Sequence, residues 1–150
     1  MFEPKITVEL VDLAINRESY EREIANDDVG AHAWFLGVTR RVTGDQVTKA
    51  LHYEAHREMA IQQMLKIAEE AARKFSLAAV VLVHRLGTVP VGEASVLVGC
   101  SSAHRPESFS ALPWIMEVLK RDVPVWKQDL DVNGAANWIH PAESNHAAES

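Results

Sequence analysis

The strongest constraint on the fold is the position of two helix patterns among several strand patterns. Residues 57–75 repeat apolar side chains along one side, with Lys and Glu opposite, and this spacing predicts a long amphipathic helix. A second long helix is predicted from Pro106, because proline fits a first helical turn and Glu107 suits the positive end of the helix dipole. Between them, residues 78–84 and 94–100 are rich in Val and Leu and are typical of buried strands.

Further patterns surround this centre. Residues 6–11, 30–39 and 47–54 are predicted strands, residues 16–25 are a predicted short helix, and residues 87–92 are a predicted connection with two glycines and a proline. Strands and helices do not alternate regularly, as a parallel, doubly wound sheet requires. The sequence therefore predicts an α+β fold with mixed or antiparallel sheets and two main helices.

The second helix carries a specific expectation about which residues it buries. Its apolar spacing predicts a buried stripe formed by Phe109, Leu112, Met116 and Leu119. Pro113 lies inside this pattern and predicts a kink or a local break. Lys120 falls about 40° from Met116 around the helix, at the border of the stripe, whereas Arg121 points away from it. A lysine at such a border can be partly desolvated, which lowers its pKa.

Length and composition set the broad class. A chain of 150 residues is most simply one domain, 1–150, of which 129–150 is the less certain tail. No apolar run approaches the roughly 20 residues of a membrane helix, and MFEPKITVEL lacks the pattern of a signal peptide. The single cysteine, Cys100, excludes an internal disulfide framework and is consistent with a cytoplasmic protein.

The charge of the chain is unevenly distributed. The net charge is −6, but residues 1–30 hold eight acids against three bases, and residues 129–150 hold four acids and no base. Residues 31–128 therefore hold twelve bases against nine acids. This middle region could bind a small anion, whereas the absence of a dense Lys/Arg stripe disfavours nucleic acid.

Common nucleotide-binding, hydrolase and metalloprotease motifs are absent from the sequence. His52 and His56 are four residues apart, but no cysteine or close carboxylate pair completes a metal-binding set, so no metal site is predicted. Cys100 is either a sulfur carrier or a buried core residue. Its place at the end of an apolar strand favours the core.

Two basic corners could receive an anion. Residues 101–106 form a strand-to-helix turn, where free backbone N–H groups can bind a phosphate or carboxylate, and His104 and Arg105 add a titratable donor and a cation. A polar cap with a solvated arginine explains this segment equally well. Arg40 and Arg41 form the second corner, which alone is more typical of a soluble loop.

Five segments, taken together, resemble the large, catalytic subunit of molybdopterin synthase. They are GVTR at 37–40, YEAH at 53–56, HRLGTVPVGEASV at 84–96, SSAHR at 101–105 and LKRDVPVWK at 119–127. The similarity runs from about residue 30 to residue 129, and the order and spacing of the segments are more specific than any one motif.

The resemblance implies a function, a fold and a partner. Enzymes of this family convert cyclic pyranopterin monophosphate into molybdopterin by installing two dithiolene sulfurs, in molybdenum cofactor biosynthesis. The sulfur arrives as a thiocarboxylate on the C-terminal glycine of a small ubiquitin-like subunit. Two large subunits form a homodimer with one small subunit at each end, which makes a heterotetramer. The implied fold is a hammerhead-type α+β arrangement, and no cofactor is expected.

The resemblance also implies the site residues. Val38, Thr39 and Arg40 match the family's first substrate-binding corner. His104 and Arg105 match the second. Lys120 matches the catalytic lysine, and Lys127, a second catalytic candidate, joins Gln128 and Asp129 in the last binding segment.

Two departures from the family concern basic residues. Gln128 stands where relatives often have a basic residue. The tail after residue 129 has no Lys or Arg, although relatives can bring a basic residue from this region into the neighbouring subunit's site. His140 is the one nearby candidate in the tail.

Two other functions remain open from the sequence. The chain could bind a ubiquitin-like sulfur-carrier tail without catalysing a reaction, or it could be an unrelated phosphate-ester enzyme with the same anion-binding turn. The presence of Lys120 and Lys127 together with Arg40 and His104 favours catalysis. The phosphate-ester alternative leaves the resemblance along the chain unexplained.

Overall fold

The computed structural model describes residues 2–139. Within them lie nine strands: β1 (Lys5–Val11), β2 (Ala31–Val38), β3 (Val42–Thr43), β4 (Gln46–Ala55), β5 (Ala79–Arg85), β6 (Gly87–Pro90), β7 (Ala94–Ser102), β8 (Val125–Asp131) and β9 (Ala136–Ile139). The helices are a 3-10 turn (Arg17–Tyr20), α1 (Glu21–Ile24), α2 (Arg57–Lys74) and α3 (Arg105–Asp122). The predicted α+β class with two main helices is confirmed. The single-domain expectation for 1–150 stays a prediction.

The first sheet has the strand order β1-β5-β7-β2. β1 and β5 are parallel, whereas β7 is antiparallel to both β5 and β2. The helices α2 and α3 pack on one face of the sheet, and the short α1 packs on the other. Strand β5 is buried on both faces, which explains its continuous apolar sequence.

The second sheet is built around β4. One edge of β4 pairs with β8, which pairs in turn with β9, and the other pairs with the short strands β3 and β6. The prediction of a connection at 87–92 was wrong for its first four residues, because Gly87–Pro90 pair with β4. Gly87 and Gly92 adopt positive φ angles of 85° and 87°, which glycine tolerates. They allow the chain to turn at both ends of β6.

The buried face of α3 differs from the predicted stripe. The buried residues are Ser108, Ala111, Ile115, Val118 and Leu119. Phe109 is 65% exposed, so its place in the stripe was wrong. The reason is that small side chains let the helix approach the sheet closely, and hydrophobicity alone does not indicate this. Pro113 lies on the exposed side, and α3 continues through it without the predicted break.

The end of α3 leads directly into the second sheet. The Val123 N–H donates a hydrogen bond to the Leu119 carbonyl at 3.1 Å, and Pro124 prevents the helix from continuing. The chain then enters β8, where Lys127 lies opposite Tyr53 of β4. This connection carries the chain from the last turn of α3 to the centre of the second sheet within a few residues. Among residues 2–139, no helix is long and apolar enough to cross a membrane.

Candidate active site

A cavity of about 470 Å³ lies where α3 and the first sheet meet the second sheet. Its wall contains residues from β2, β4, β5, β7, β8, β9 and the last turn of α3. Four lining residues carry the charge: Arg40, Lys120, Lys127 and Asp129. The described part of the wall therefore holds three cations and one carboxylate.

Lys120 reaches the cavity from the C-terminal turn of α3. Leu119 anchors this turn in the core between the helices and the first sheet. Lys120 is on the border of that buried face, and partial desolvation lowers the pKa of its ammonium group. The adjacent Arg121 is exposed and donates hydrogen bonds to Asp122 at 2.9 and 3.1 Å. The helical phase predicted this difference between the two neighbours.

Lys127 lies deeper, on β8. Burial is the main reason why its pKa is lowered, and the positive charges of Lys120 and Arg40 lower it further. Asp129 acts in the opposite direction. The three cations therefore lie close enough to affect one another, although they come from a loop, a helix end and a strand. Neighbouring positive charges repel one another, and an anionic ligand that binds between them reduces this repulsion.

Asp129 is held in place by a neighbour on β4. The Thr48 hydroxyl lies 2.9 and 3.1 Å from the two oxygens of the Asp129 carboxylate. Both side chains are buried. Asp129 is therefore fixed before any ligand binds, and its charge partly offsets the repulsion among the cations.

A neutral polar group forms another part of the wall. His84 is the next-to-last residue of β5, and its ring meets the ring of Tyr53 edge-on, with the centroids 5.0 Å apart. Burial raises the pKa of the Tyr53 phenol, and contact with Ser95 opposes this shift. Desolvation lowers the pKa of His84 to about 4, so the imidazole is neutral at pH 7. Tyr53, His84 and Ser95 all line the cavity.

Nine residues were predicted for the site from the sequence. Five of them line the cavity: Val38, Arg40, Lys120, Lys127 and Asp129. Thr39 is buried beside it, and its main chain bonds to Gly92 and Glu93. Gln128 lies between Lys127 and Asp129 on β8, so the alternation of a strand directs it to the opposite face.

The structure places His104 and Arg105 elsewhere. His104 is the N-cap residue of α3, and Arg105 is the first residue of the helix. At 1.5 Å per residue, the length of the helix puts Arg105 about 22 Å from Lys120. These two residues are exposed and do not line the cavity within one chain.

Other sequence-based expectations can be placed as well. Cys100 is fully buried in the core, and desolvation raises the pKa of its thiol to about 11. The core interpretation of Cys100 is confirmed. Among the described residues, no group of three or more His, Cys, Asp and Glu side chains could hold a metal ion. His140 lies outside the described residues.

The site analysis from the sequence missed seven polar lining residues: Thr43, Gln46, Thr48, Tyr53, His84, Ser95 and Asn137. Three of them lie within the segments YEAH and HRLGTVPVGEASV, which were noted only for their resemblance to a family. A histidine at the end of the otherwise apolar run AVVLV was a further signal. Whether a strand residue faces a cavity depends on pairing register, which one sequence does not reveal.

Comparisons with known proteins agree on one family. The family model described as MoaE protein matches residues 10–122. The molybdopterin synthase catalytic subunit of Emericella nidulans is 38% identical over 117 residues, which cover 78% of this chain and 60% of that relative. The subunit of the same name from Thermoplasma volcanium is 35% identical over 131 residues, covering 87% of this chain and 96% of that relative.

A solved structure shows the same fold. The crystal structure of molybdopterin synthase from Staphylococcus aureus matches with a TM-score of 0.83 and 30% identity, covering 88% of this chain and 96% of that chain. The chain thus spans three fifths of one curated relative and nearly all of the others described here.

Proposed function

Because the chain belongs to the MoaE family of molybdopterin synthase catalytic subunits, we propose that it converts cyclic pyranopterin monophosphate into molybdopterin by sulfur transfer. One observation carries this proposal: Arg40, Lys120 and Lys127 converge on a single cavity. The cyclic phosphate of the precursor and an incoming thiocarboxylate are both anions. Cations in a partly desolvated cavity reduce their mutual repulsion more strongly than water does.

The sulfur donor is a small ubiquitin-like subunit with a thiocarboxylated C-terminal glycine. Each transfer forms a carbon–sulfur bond on the precursor in place of a carbon–oxygen bond and breaks the carbon–sulfur bond of the tail. The displaced oxygen stays on phosphorus where the cyclic phosphate opens and leaves as water at the other carbon. The acyl carbon of the tail takes an oxygen from water and leaves as a carboxylate. The product carries two such sulfurs, so two donor tails are consumed for each molecule of molybdopterin.

The cations have different roles in this scheme. Lys120 acts as the general acid and base, because a pKa lowered from its usual value brings its ammonium closer to the range that suits proton transfer. Arg40 and Lys127 hold the phosphate. Val38 lines the same wall, and Asp129, fixed by Thr48, orients Lys127 through its opposite charge.

The second predicted corner fits this function only in a dimer. His104 and Arg105 lie at the N-terminal end of α3, about a helix length from Lys120. In a symmetric homodimer, the same patch of each copy can face the other copy. We therefore assign His104 and Arg105 of one copy to the cavity of its partner, within a heterotetramer that also contains two small subunits.

One assay tests the function. The purified protein, thiocarboxylated small subunit and cyclic pyranopterin monophosphate are mixed, and molybdopterin is measured. Lys120→Ala is expected to lower the rate at least about 100-fold, as loss of a general acid/base does. Arg121→Ala is the matched control, because this neighbour lies in solvent, and it should retain nearly the wild-type rate. Lys120→Arg separates charge from proton transfer, since arginine keeps the charge but does not titrate.

Three outcomes would contradict the scheme. If the wild-type protein binds the small subunit but forms no product, the chain is a binding module rather than an enzyme. Full activity in Lys120→Ala would remove the catalytic role of that residue. Full activity in Lys120→Arg would show that Lys120 acts through its positive charge and not by proton transfer.

A further inference from the structure

His84 is a titratable residue of the described cavity wall and has no role in the scheme above. The fold fixes both its charge state and its tautomer. Its Nδ1 lies 2.9 Å from the carbonyl oxygen of Arg85. A carbonyl can only accept a hydrogen bond, so Nδ1 must carry the proton. In the neutral ring, the remaining nitrogen, Nε2, is then an acceptor with an available lone pair.

This acceptor has no protein partner within residues 2–139. The bond to Arg85 is the hydrogen bond that His84 makes there, and Lys127 does not donate to it. The Tyr53 ring packs edge-on against the imidazole and limits its rotation. His84 lines the cavity together with Leu82 and Phe35. Because a ligand that fills the cavity removes water from this acceptor, this part of the wall is suited to a ligand that supplies an N–H or O–H group.

The cavity therefore has two chemically different parts. Arg40, Lys120 and Lys127 provide the charge that an anion requires, whereas His84 and Tyr53 provide a neutral wall next to apolar side chains. The cyclic phosphate of the precursor is a diester with acceptor oxygens only, so it cannot satisfy Nε2, which needs a donor. A nitrogen heterocycle with ring N–H or amino groups can do so, and its flat face fits an apolar wall.

We propose that His84 is a specificity residue that accepts a hydrogen bond through Nε2 from a ring N–H or amino group of the heterocyclic part of the substrate. This inference rests on the proposed function, because it assigns the neutral wall to the heterocycle of the same phosphorylated substrate. The cations select the phosphate, and His84 selects the ring to which it is attached. His84 takes no proton in the reaction, since its role is to bind and orient.

The test compares two ligands in three proteins. Cyclic pyranopterin monophosphate and inorganic phosphate are titrated into wild type, His84→Phe and Lys127→Ala without the small subunit, so that binding is measured without turnover. His84→Phe keeps a ring against Tyr53 but removes the acceptor. It should weaken precursor binding about 10-fold or more and leave phosphate binding unchanged, because one donor of the precursor then loses its partner. Lys127→Ala should weaken both ligands.

A second variant and a spectroscopic measurement keep the proposal testable if His84→Phe does not fold. His84→Gln can place its amide oxygen near the position of Nε2 and should recover part of the precursor affinity. In the wild-type protein, the ¹⁵N resonance of Nε2 should move when the precursor binds, and inorganic phosphate should not produce this change. Equal weakening of both ligands in His84→Phe, or an unmoved Nε2 resonance with bound precursor, would overturn the assignment. If the wild type binds the precursor but forms no molybdopterin with a thiocarboxylated small subunit, the proposed function fails while the role of His84 in binding stands.

Discussion

At the level of single residues, desolvation sets the charges inside the cavity. His84 and Lys127 are both less solvated than an exposed side chain. Desolvation lowers the pKa of each group, which favours its neutral form. For His84 this gives a neutral acceptor at pH 7. For Lys127 it gives an ammonium group that is destabilised when the cavity holds no anion.

The shift of His84 predicts an acid-sensitive fold. Its pKa falls from 6.5 to about 4, so below pH 6.5 the unfolded chain binds a proton that the folded chain does not. Stability is unaffected above pH 6.5 and decreases as the pH falls towards 4. At pH 5 the loss is about 2 kcal/mol from this group. Urea unfolding at pH 7.5 and pH 5 should therefore show a smaller pH-dependent loss in His84→Gln than in wild type, and equal losses would contradict the low pKa.

For Lys127 we expect that removing the buried charge makes the protein more stable and abolishes its function. Its folded pKa lies below the usual 10.5, so the penalty for burying its charge is full at neutral pH and is relieved only as the pH rises towards 10.5. Lys127→Met should raise the free energy of unfolding at pH 7 by about 1 kcal/mol and abolish molybdopterin formation. The control is Lys49→Met, which alters an exposed lysine and should change stability little. A less stable Lys127→Met protein would show that Lys127 is net stabilising.

The two lysines could be predicted from the sequence, whereas the neutral wall could not. Helical phase places Lys120 on the border of a buried face, and the family resemblance indicates Lys127. Tyr53 and Thr48 face the cavity because β4 pairs with β8 in one particular register. That register depends on contacts between residues far apart in the chain, so a local pattern contains no information about it.

At the level of elements, α3 shows where hydrophobic patterns fail. The spacing of its residues is compatible with two buried faces, one that includes Phe109 and one that includes Ser108 and Ala111. Close packing against β7 and β2 selects the small residues. The bounds of α2 and the start of α3 were predicted within one residue, because proline and the capping position are local signals.

Pro113 is expected to make α3 less stable than a helix of the same length without an internal proline. Proline inside a helix removes one backbone hydrogen bond and crowds the preceding turn. Pro113 lies on the exposed side, so Pro113→Ala removes no core contact. The change should raise the free energy of unfolding by about 1–2 kcal/mol, after allowance for the greater freedom of the unfolded chain. Urea denaturation measures this, with Ser110→Ala on the same exposed side as the control. An unchanged or lower stability would mean that the surrounding structure is adapted to the proline.

At the level of the whole molecule, the fold separates groups that the sequence suggested might act together. Arg40, Lys120 and Lys127 share a cavity, although 87 positions separate the first from the last in the chain. His104 and Arg105 are closer to Lys120 in sequence but lie at the opposite end of a rigid helix. One copy of the chain cannot bring these two sets together, and a second copy can supply what the first lacks.

Subunit complementation tests whether the site is shared between copies. Lys120→Ala and Arg105→Ala chains, each nearly inactive alone, are co-expressed with different tags, and the mixed dimers are assayed for molybdopterin. In a mixed dimer with shared sites, one site carries both substitutions and the other carries neither. Random pairing should therefore restore about a quarter of the wild-type activity, since half the dimers are mixed and each has one intact site.

The matched control pairs Lys120→Ala with Lys127→Ala. Both residues belong to the cavity of one chain, so every site in that mixture lacks one of them and no activity should return. If the Lys120→Ala and Arg105→Ala mixture forms mixed dimers but stays inactive, Arg105 does not complete its partner's cavity. If activity returns in both mixtures, Lys120 and Lys127 can act from different copies. That result would contradict a site in which both residues belong to the cavity of one chain.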